Sequence, residues 1–306
     1  MMSKQSVQAV HGARRKNSVT PYLFVAPFVI SFAVFLLIPL VEAVYKSLFT
    51  AKYEGLGFGG PHPSFVGFSN YAAILQDSDF MYGFVRVFLF GIVQVPLMMF
   101  LSLVFALLID SSLVRFKKLD QIIIFLPYAV PTVVAAMLWG FMYQPGVSPI
   151  VKGLQQMGIP VDFLAPESVL WSAANITTWC WVGVNMVIIY SGLQAIPNEI
   201  YEAARIDGAN ELRIAWSIKI PMVLPSIALT LFTSIIGTVQ LFNEPTILAT
   251  ITSNVPDSFT PMMDVVNTTV TQNNQYKGAA MSIVVAVVAF VLSALVSLMD
   301  RKKEVL

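Results

Sequence analysis

The residues best suited to chemistry in this chain are polar ones set in apolar surroundings. Gln240, Phe242, Asn243 and Glu244 stand together in one long apolar run, and Glu244 is the only charged residue in it. Thr177, Trp181 and Asn185 recur every four residues in another run, on a helical face that Tyr190 roughly continues. Amides and an acid bond hydroxyl groups, and an indole offers a flat platform, so the set suits binding of a polyol. An acid inside a membrane segment marks a site by default. Thr, Asn and Trp also serve as glue between helices and as interfacial anchors. For the single residues both uses stand open.

Bond-making chemistry has no foothold. The sequence contains no G-x-x-x-x-G-K-[ST] to cradle a nucleotide, no H-E-x-x-H and no G-x-S-x-G. Its two histidines, His11 and His62, are far apart, and its single cysteine, Cys180, has no partner in the chain. We therefore expect no enzyme, no metal site and no cofactor bound by this chain.

The elements that must position the polar residues are six apolar stretches, at 22–45, 84–109, 119–143, 169–193, 222–248 and 279–299. Together they hold only four charges, Glu42, Arg86, Asp120 and Glu244, although the 306-residue chain carries 18 Lys and Arg and 17 Asp and Glu. A helix needs about 20 apolar residues to cross the hydrocarbon core of a bilayer. Backbone groups in lipid must bond within their own segment. Six transmembrane helices in an all-α membrane protein are expected, with residues 1–21 and 300–306 as tails. The first stretch is too long for a signal-peptide core and is expected to stay as an anchor.

Basic residues in short loops set orientation. With the N-terminus inside, the inner segments carry thirteen Lys and Arg and the outer segments four, while Arg86 sits within a span. Both termini are thus expected in the cytoplasm. The basic residues are accounted for by orientation, and no nucleic-acid partner is implied. The first outer loop, 46–83, is rich in Gly, Pro and aromatics, which break regular structure. Within it, 70–75 reads as a short surface helix. The loop is either a plain connection or a docking surface for an external partner.

The inner segment 194–221 is too polar to span and too helix-prone for a turn. Pro197 and Asn198 start a helix with Glu199 and Glu202 in its first turns. Ile200, Ala203 and Ala204 share a small apolar face. Gly208 ends the helix, and a second short helix runs from about Asn210 to Ile218. The alanines, and three acids against one arginine in 199–207, favour docking on a protein over lying on the leaflet.

The run Glu202-Ala203-Ala204-Arg205-Ile206-Asp207-Gly208-Ala209, continuing to Ile220-Pro221 and Pro225, resembles the EAA loop of bacterial ABC-importer membrane subunits. Its form is similar to carbohydrate importers of the maltose and glycerol-phosphate type. The likeness extends to the Phe65–Tyr71 stretch, to Leu126-Pro127 and to the ending after the sixth span, which is similar to the maltose-F-like member of the pair. The resemblance implies a type I importer permease fold in the bacterial inner membrane. It implies a second homologous permease subunit, a cytoplasmic ATPase dimer using ATP and Mg, and an external or periplasmic sugar-binding protein as partners. It implies ATPase coupling through Glu202, Ala203, Ala204, Asp207, Gly208 and Ala209. It places contacts to a sugar or oligosaccharide at Thr177, Cys180, Trp181, Val184, Phe242 and Asn243. The chain departs from the maltose pattern at Trp181, Val184, Glu244 and Pro245, and it lacks the usual Gly-Gly-Pro after span five.

An ion-coupled secondary transporter using Glu244 is the alternative from another class. It calls for inverted repeats or interrupted helices at the site. A non-transporting sensor or scaffold is a third, and neither explains the 202–209 motif.

Overall fold

The computed structural model describes residues 20–53, 60–111 and 114–304. The expected N-terminal tail, with His11, lies outside the described residues except for its last two positions. Among the described residues, five helices are long and apolar enough to cross a membrane: Pro21–Ser47, Ser78–Asp110, Val169–Gln194, Leu224–Ala249 and Gln275–Leu295. These are the first, second, fourth, fifth and sixth spans below.

The third stretch is not a straight helix. Lys117–Ala129 and Thr132–Tyr143 meet at 95°. Two prolines cause the bend. Pro127 sits in a 3-10 turn, Leu126–Ala129, and Pro131 forces the residue before it out of the helical region, so Val130 is extended (φ −80°, ψ 126°). The fifth span is broken as well. Helix Leu224–Val239 stops, Phe242 takes φ −142° and ψ −54°, and helix Asn243–Ala249 follows. Pro245 explains it: its ring would clash with the Leu241 carbonyl and it has no N–H to bond it. Thr260 Oγ1 donates to that carbonyl at 2.9 Å instead.

Lipid supplies no hydrophobic drive for helices to associate, so close backbone approach and hydrogen bonds must hold the bundle together. The second and fourth spans pack most extensively. Ser102 Oγ of the second span lies 3.0 Å from the Val182 carbonyl of the fourth. Gly183 lies against the backbone of Ile124 and Phe125, where a Cβ would overlap the Ile124 carbonyl oxygen. The first span packs on the sixth through its second half, and none of its apolar residues is fully buried.

The loop after the first span is more ordered than its glycines and prolines suggest. Phe49–Tyr53 and Pro61–Phe65 form an antiparallel hairpin with Phe49 opposite Phe65. Helix Ser69–Leu75 follows. Asn70 Nδ2 donates to the carbonyls of Ser47 and Phe49, both at 2.8 Å, which ties this helix to the end of the first span. The all-α expectation thus needs one small sheet added outside the spans.

Candidate functional site

The break in the fifth span opens a cavity of about 470 Å³ between the second, third, fourth and fifth spans. Thr177, Trp181, Asn185, Gln240, Phe242, Asn243 and Glu244 all line it, as does Val184. Helical spacing brings the fourth-span residues in, and the Pro245 break turns 240–244 toward them. The fourth-span face departs from expectation at two points. Cys180 is buried in the core between the third, fourth and fifth spans. Tyr190 packs with the cluster near the 194–221 loop.

Glu244 is 6% exposed and its Oε1 accepts from Thr177 Oγ1 at 3.0 Å. Trp181 is 42% exposed, and its ring and that of Tyr128 lie 5.4 Å apart between centroids with their planes at 68°. Asn185 Nδ2 reaches Ser234 Oγ at 3.5 Å. Gln94, Tyr128 and Thr132 also line the cavity and were not among the expected residues. Gln94 is buried in the second span, with Nε2 3.2 Å from Thr178 Oγ1. A lone amide in an apolar run was its signal, and the Pro127–Pro131 pair was the signal for Tyr128 and Thr132. The arrangement offers donors, acceptors and one ring face, and it can bind a polar solute.

The 194–221 segment forms the second constellation. Helix Asn198–Ile206 ends at Gly208, whose φ is +79°. Ala209 N–H donates to Ala204 O at 2.9 Å and Gly208 N–H to Arg205 O at 3.0 Å, a Schellman closure that needs this left-handed residue. Asn210 Oδ1 then accepts from Arg213 N at 2.8 Å and caps Glu211–Ile214. Arg205 spans the turn to Glu211 Oε1 at 2.9 and 3.1 Å.

Glu202, Ala203, Asp207 and Gly208 are exposed, while Ala204 and Ala209 are half-buried. The expected apolar face is only partly free. Ile200 and Ala204 turn inward onto the core around Tyr201 and Ile214, because one side of the short helix must cover the ends of the spans. The large apolar side chains left outside are Ile206, Leu212 and Trp216.

Beneath this helix a buried ion pair joins Lys219 Nζ to Asp110 Oδ2 at the end of the second span. Gln194 Nε2 donates to Asp110 Oδ1 at 2.9 Å, so both carboxylate oxygens are engaged. Lys219 Nζ also lies 5.1 Å from the centre of the Tyr201 ring. Burial, then the charge of Asp110, push the Tyr201 hydroxyl up to about 12. The loop is thereby anchored to the second, fourth and fifth spans at once.

The family model for binding-protein-dependent transport system inner membrane components matches residues 102–305. The chain belongs to that family. It is 30% identical over 282 residues to the sn-glycerol-3-phosphate transport system permease protein UgpA of Agrobacterium fabrum, covering 91% of this chain and 93% of that protein. It is 32% identical to the lactose permease protein LacF of Rhizobium radiobacter, covering 76% of each. It is 30% identical to the arabinooligosaccharide permease protein AraP of Bacillus subtilis, covering 90% and 87%. A solved bacterial alginate ABC transporter bound to its pentasaccharide-loaded periplasmic protein has a chain of the same fold. Its TM-score is 0.80 at 20% identity, with 92% of this chain and 94% of that one covered. The protein is a multi-pass inner-membrane subunit of a binding-protein-dependent transport system, with the type I ABC importer permease fold.

Proposed function

We propose that this permease forms half of the translocation pathway of an ATP-driven importer for sugars or polyols. The observation that carries the reading is the convergence of the seven expected pathway residues on one cavity at the break of the fifth span. The relatives named above for lactose and arabinooligosaccharides support the solute class. A second homologous permease subunit supplies the other half, and an external binding protein delivers the solute.

Both termini and the 194–221 loop lie in the cytoplasm in this reading, which the thirteen-to-four distribution of basic residues supports. There Glu202, Ala203, Ala204, Asp207, Gly208 and Ala209 meet an ATPase subunit, with Ile206, Leu212 and Trp216 as apolar contacts. This chain binds neither ATP nor Mg; the ATPase does. ATP shifts the bundle between inward- and outward-facing states only because the ATPase dimer binds one of them more tightly. The Asp110–Lys219 pair makes the loop and the second span move as one piece.

The ion-coupled alternative asked for an interrupted helix at the acid, and the fifth span has one. It still offers no account of the 202–209 motif or of membership in a binding-protein-dependent family. Affinity purification of the tagged chain tests the choice. An ATPase subunit is expected to co-purify, and Glu202→Lys or Gly208→Pro is expected to abolish solute-stimulated ATP turnover while the permease still inserts. Normal transport by either variant would refute the coupling assignment. Uptake that survives ATP depletion on a proton gradient would favour the alternative.

A further inference from the structure

We infer that the solute this pathway admits is uncharged and hydroxyl-rich, and that phosphate- or carboxylate-bearing solutes are turned away at Glu244. The inference rests on the importer reading and narrows it. The relatives alone do not decide it, since some are named for neutral sugars and others for glycerol-3-phosphate and alginate, which are anions.

The charge inventory carries it. Among the described residues that line the cavity there is no Lys, Arg or His, and the one ionisable acid is Glu244. Phosphate and carboxylate groups are bound in proteins by Arg forks and Lys ammonium groups. The cations in the chain's middle that could have supplied one are engaged elsewhere. Arg86 lies over the Phe259 ring at 5.2 Å with Nη1 3.4 Å from the Ser258 carbonyl. Lys219 is paired with Asp110, and Lys277 with Asp77 at 2.9 Å. The start of helix Asn243–Ala249 already carries Glu244 in its first turn, where an anion would otherwise be drawn.

In neither protonation state does Glu244 supply the positive charge that an anion needs. Ionised, the carboxylate accepts from a solute hydroxyl and repels an anion. Protonated, it donates to a hydroxyl and brings no positive charge. The remaining polar lining is made of neutral hydroxyl and amide groups that pair with hydroxyls in either sense, among them Thr177, Asn185, Gln240 and Asn243. Trp181, packed against Tyr128 with the ring planes at 68°, adds to the lining an indole of the kind that stacks on the C–H face of a sugar. A solute passing between two subunits must cross this half of the pathway whatever the other half contributes.

The test is ATP-dependent uptake into proteoliposomes holding the complete importer with its own binding protein. The labelled probes are neutral di- and trisaccharides and polyols, set beside glycerol 3-phosphate and uronic-acid di- and trisaccharides. The expected result is accumulation of one or more neutral probes at a rate at least tenfold above every anionic one. Glu244→Lys is expected to lower neutral uptake at least tenfold, and Glu244→Gln by less. Preferential accumulation of an anionic probe by the unaltered complex would overturn the charge inference and leave the importer reading standing. Unchanged neutral uptake by Glu244→Lys would likewise overturn it. Accumulation of no probe, with no ATP-dependent step at all, would count against the importer reading itself.

Discussion

Two buried acids in this molecule have opposite surroundings. Asp110 ends the second span with both oxygens engaged, one by Lys219 and one by Gln194. Glu244 begins the short helix after the break in the fifth span. Among the described residues its one side-chain hydrogen-bond partner is Thr177. A carboxylate tied by an ammonium on one oxygen and an amide on the other is committed first to attachment. A carboxyl held by a neutral hydroxyl at the wall of a cavity keeps acceptor positions for a solute. The difference separates a joint from a binding surface, although both are acids with largely covered side chains.

Breaking the joint should have the largest effect on stability. Asp110→Ala leaves Lys219 buried and unpaired, a change that costs about 3–5 kcal/mol in comparable buried pairs. Thermal unfolding of the purified subunit in detergent should show it. The reciprocal exchange, Asp110→Lys with Lys219→Asp, should recover part of the loss. Glu244→Gln, nearly the same shape, should leave unfolding close to the original and act on uptake.

A second variant sharpens the contrast at the loop. Gly208→Ala meets no neighbour, yet the left-handed backbone should cost about 1–2 kcal/mol. The effect should appear as reduced ATPase retention on purification. Arg205 and Glu211 bridge the same turn, but both are about half exposed. Glu211→Ala should therefore shift unfolding by less than about 1 kcal/mol.

A third acid extends the comparison to pH. Asp264, in the helix Pro261–Val266 between the fifth and sixth spans, is buried beside Thr268. Burial first, and then the charge of Asp77, push its carboxyl above the ordinary range, against the pull of Lys277. The folded state therefore holds this proton more tightly than the unfolded chain does. Its contribution is fully present below the ordinary carboxylate range and is lost as pH rises through the folded value. Asp264→Asn should raise the melting temperature at neutral pH and remove that part of the slope. Asp77 should act in the opposite sense. Its hydrogen bond to Lys277 holds it below the ordinary range, so its contribution is present at neutral pH and lost in acid.

Much of this was readable from residue types. The five long spans and the 198–206 helix with its Gly208 stop follow from apolar length and capping chemistry. The cavity residues of the fourth and fifth spans follow from polar groups in apolar runs. What escaped was contact between distant segments. Gln94 was visible as an amide, but only the packing of the second span on the fourth places it at the cavity. Pro127, Pro131 and Pro245 were legible as helix breakers, whereas the 95° turn and the opening at 240–242 depend on what the freed carbonyls find, such as Thr260. Ile200 and Ala204 looked free because a helical face does not reveal which side the core takes. The Asp110–Lys219 pair joins residues 109 positions apart, and local spacing carries no trace of it.

The measurement that tests the account most directly is solute-stimulated ATP turnover of the complete reconstituted complex, titrated with its neutral solute. The account predicts that Glu244→Gln raises the half-saturating concentration with maximal turnover largely kept. It predicts that Asp110→Asn lowers maximal turnover with half-saturation largely kept. The reverse assignment, or the same change from both variants, would contradict the separation of binding surface from joint.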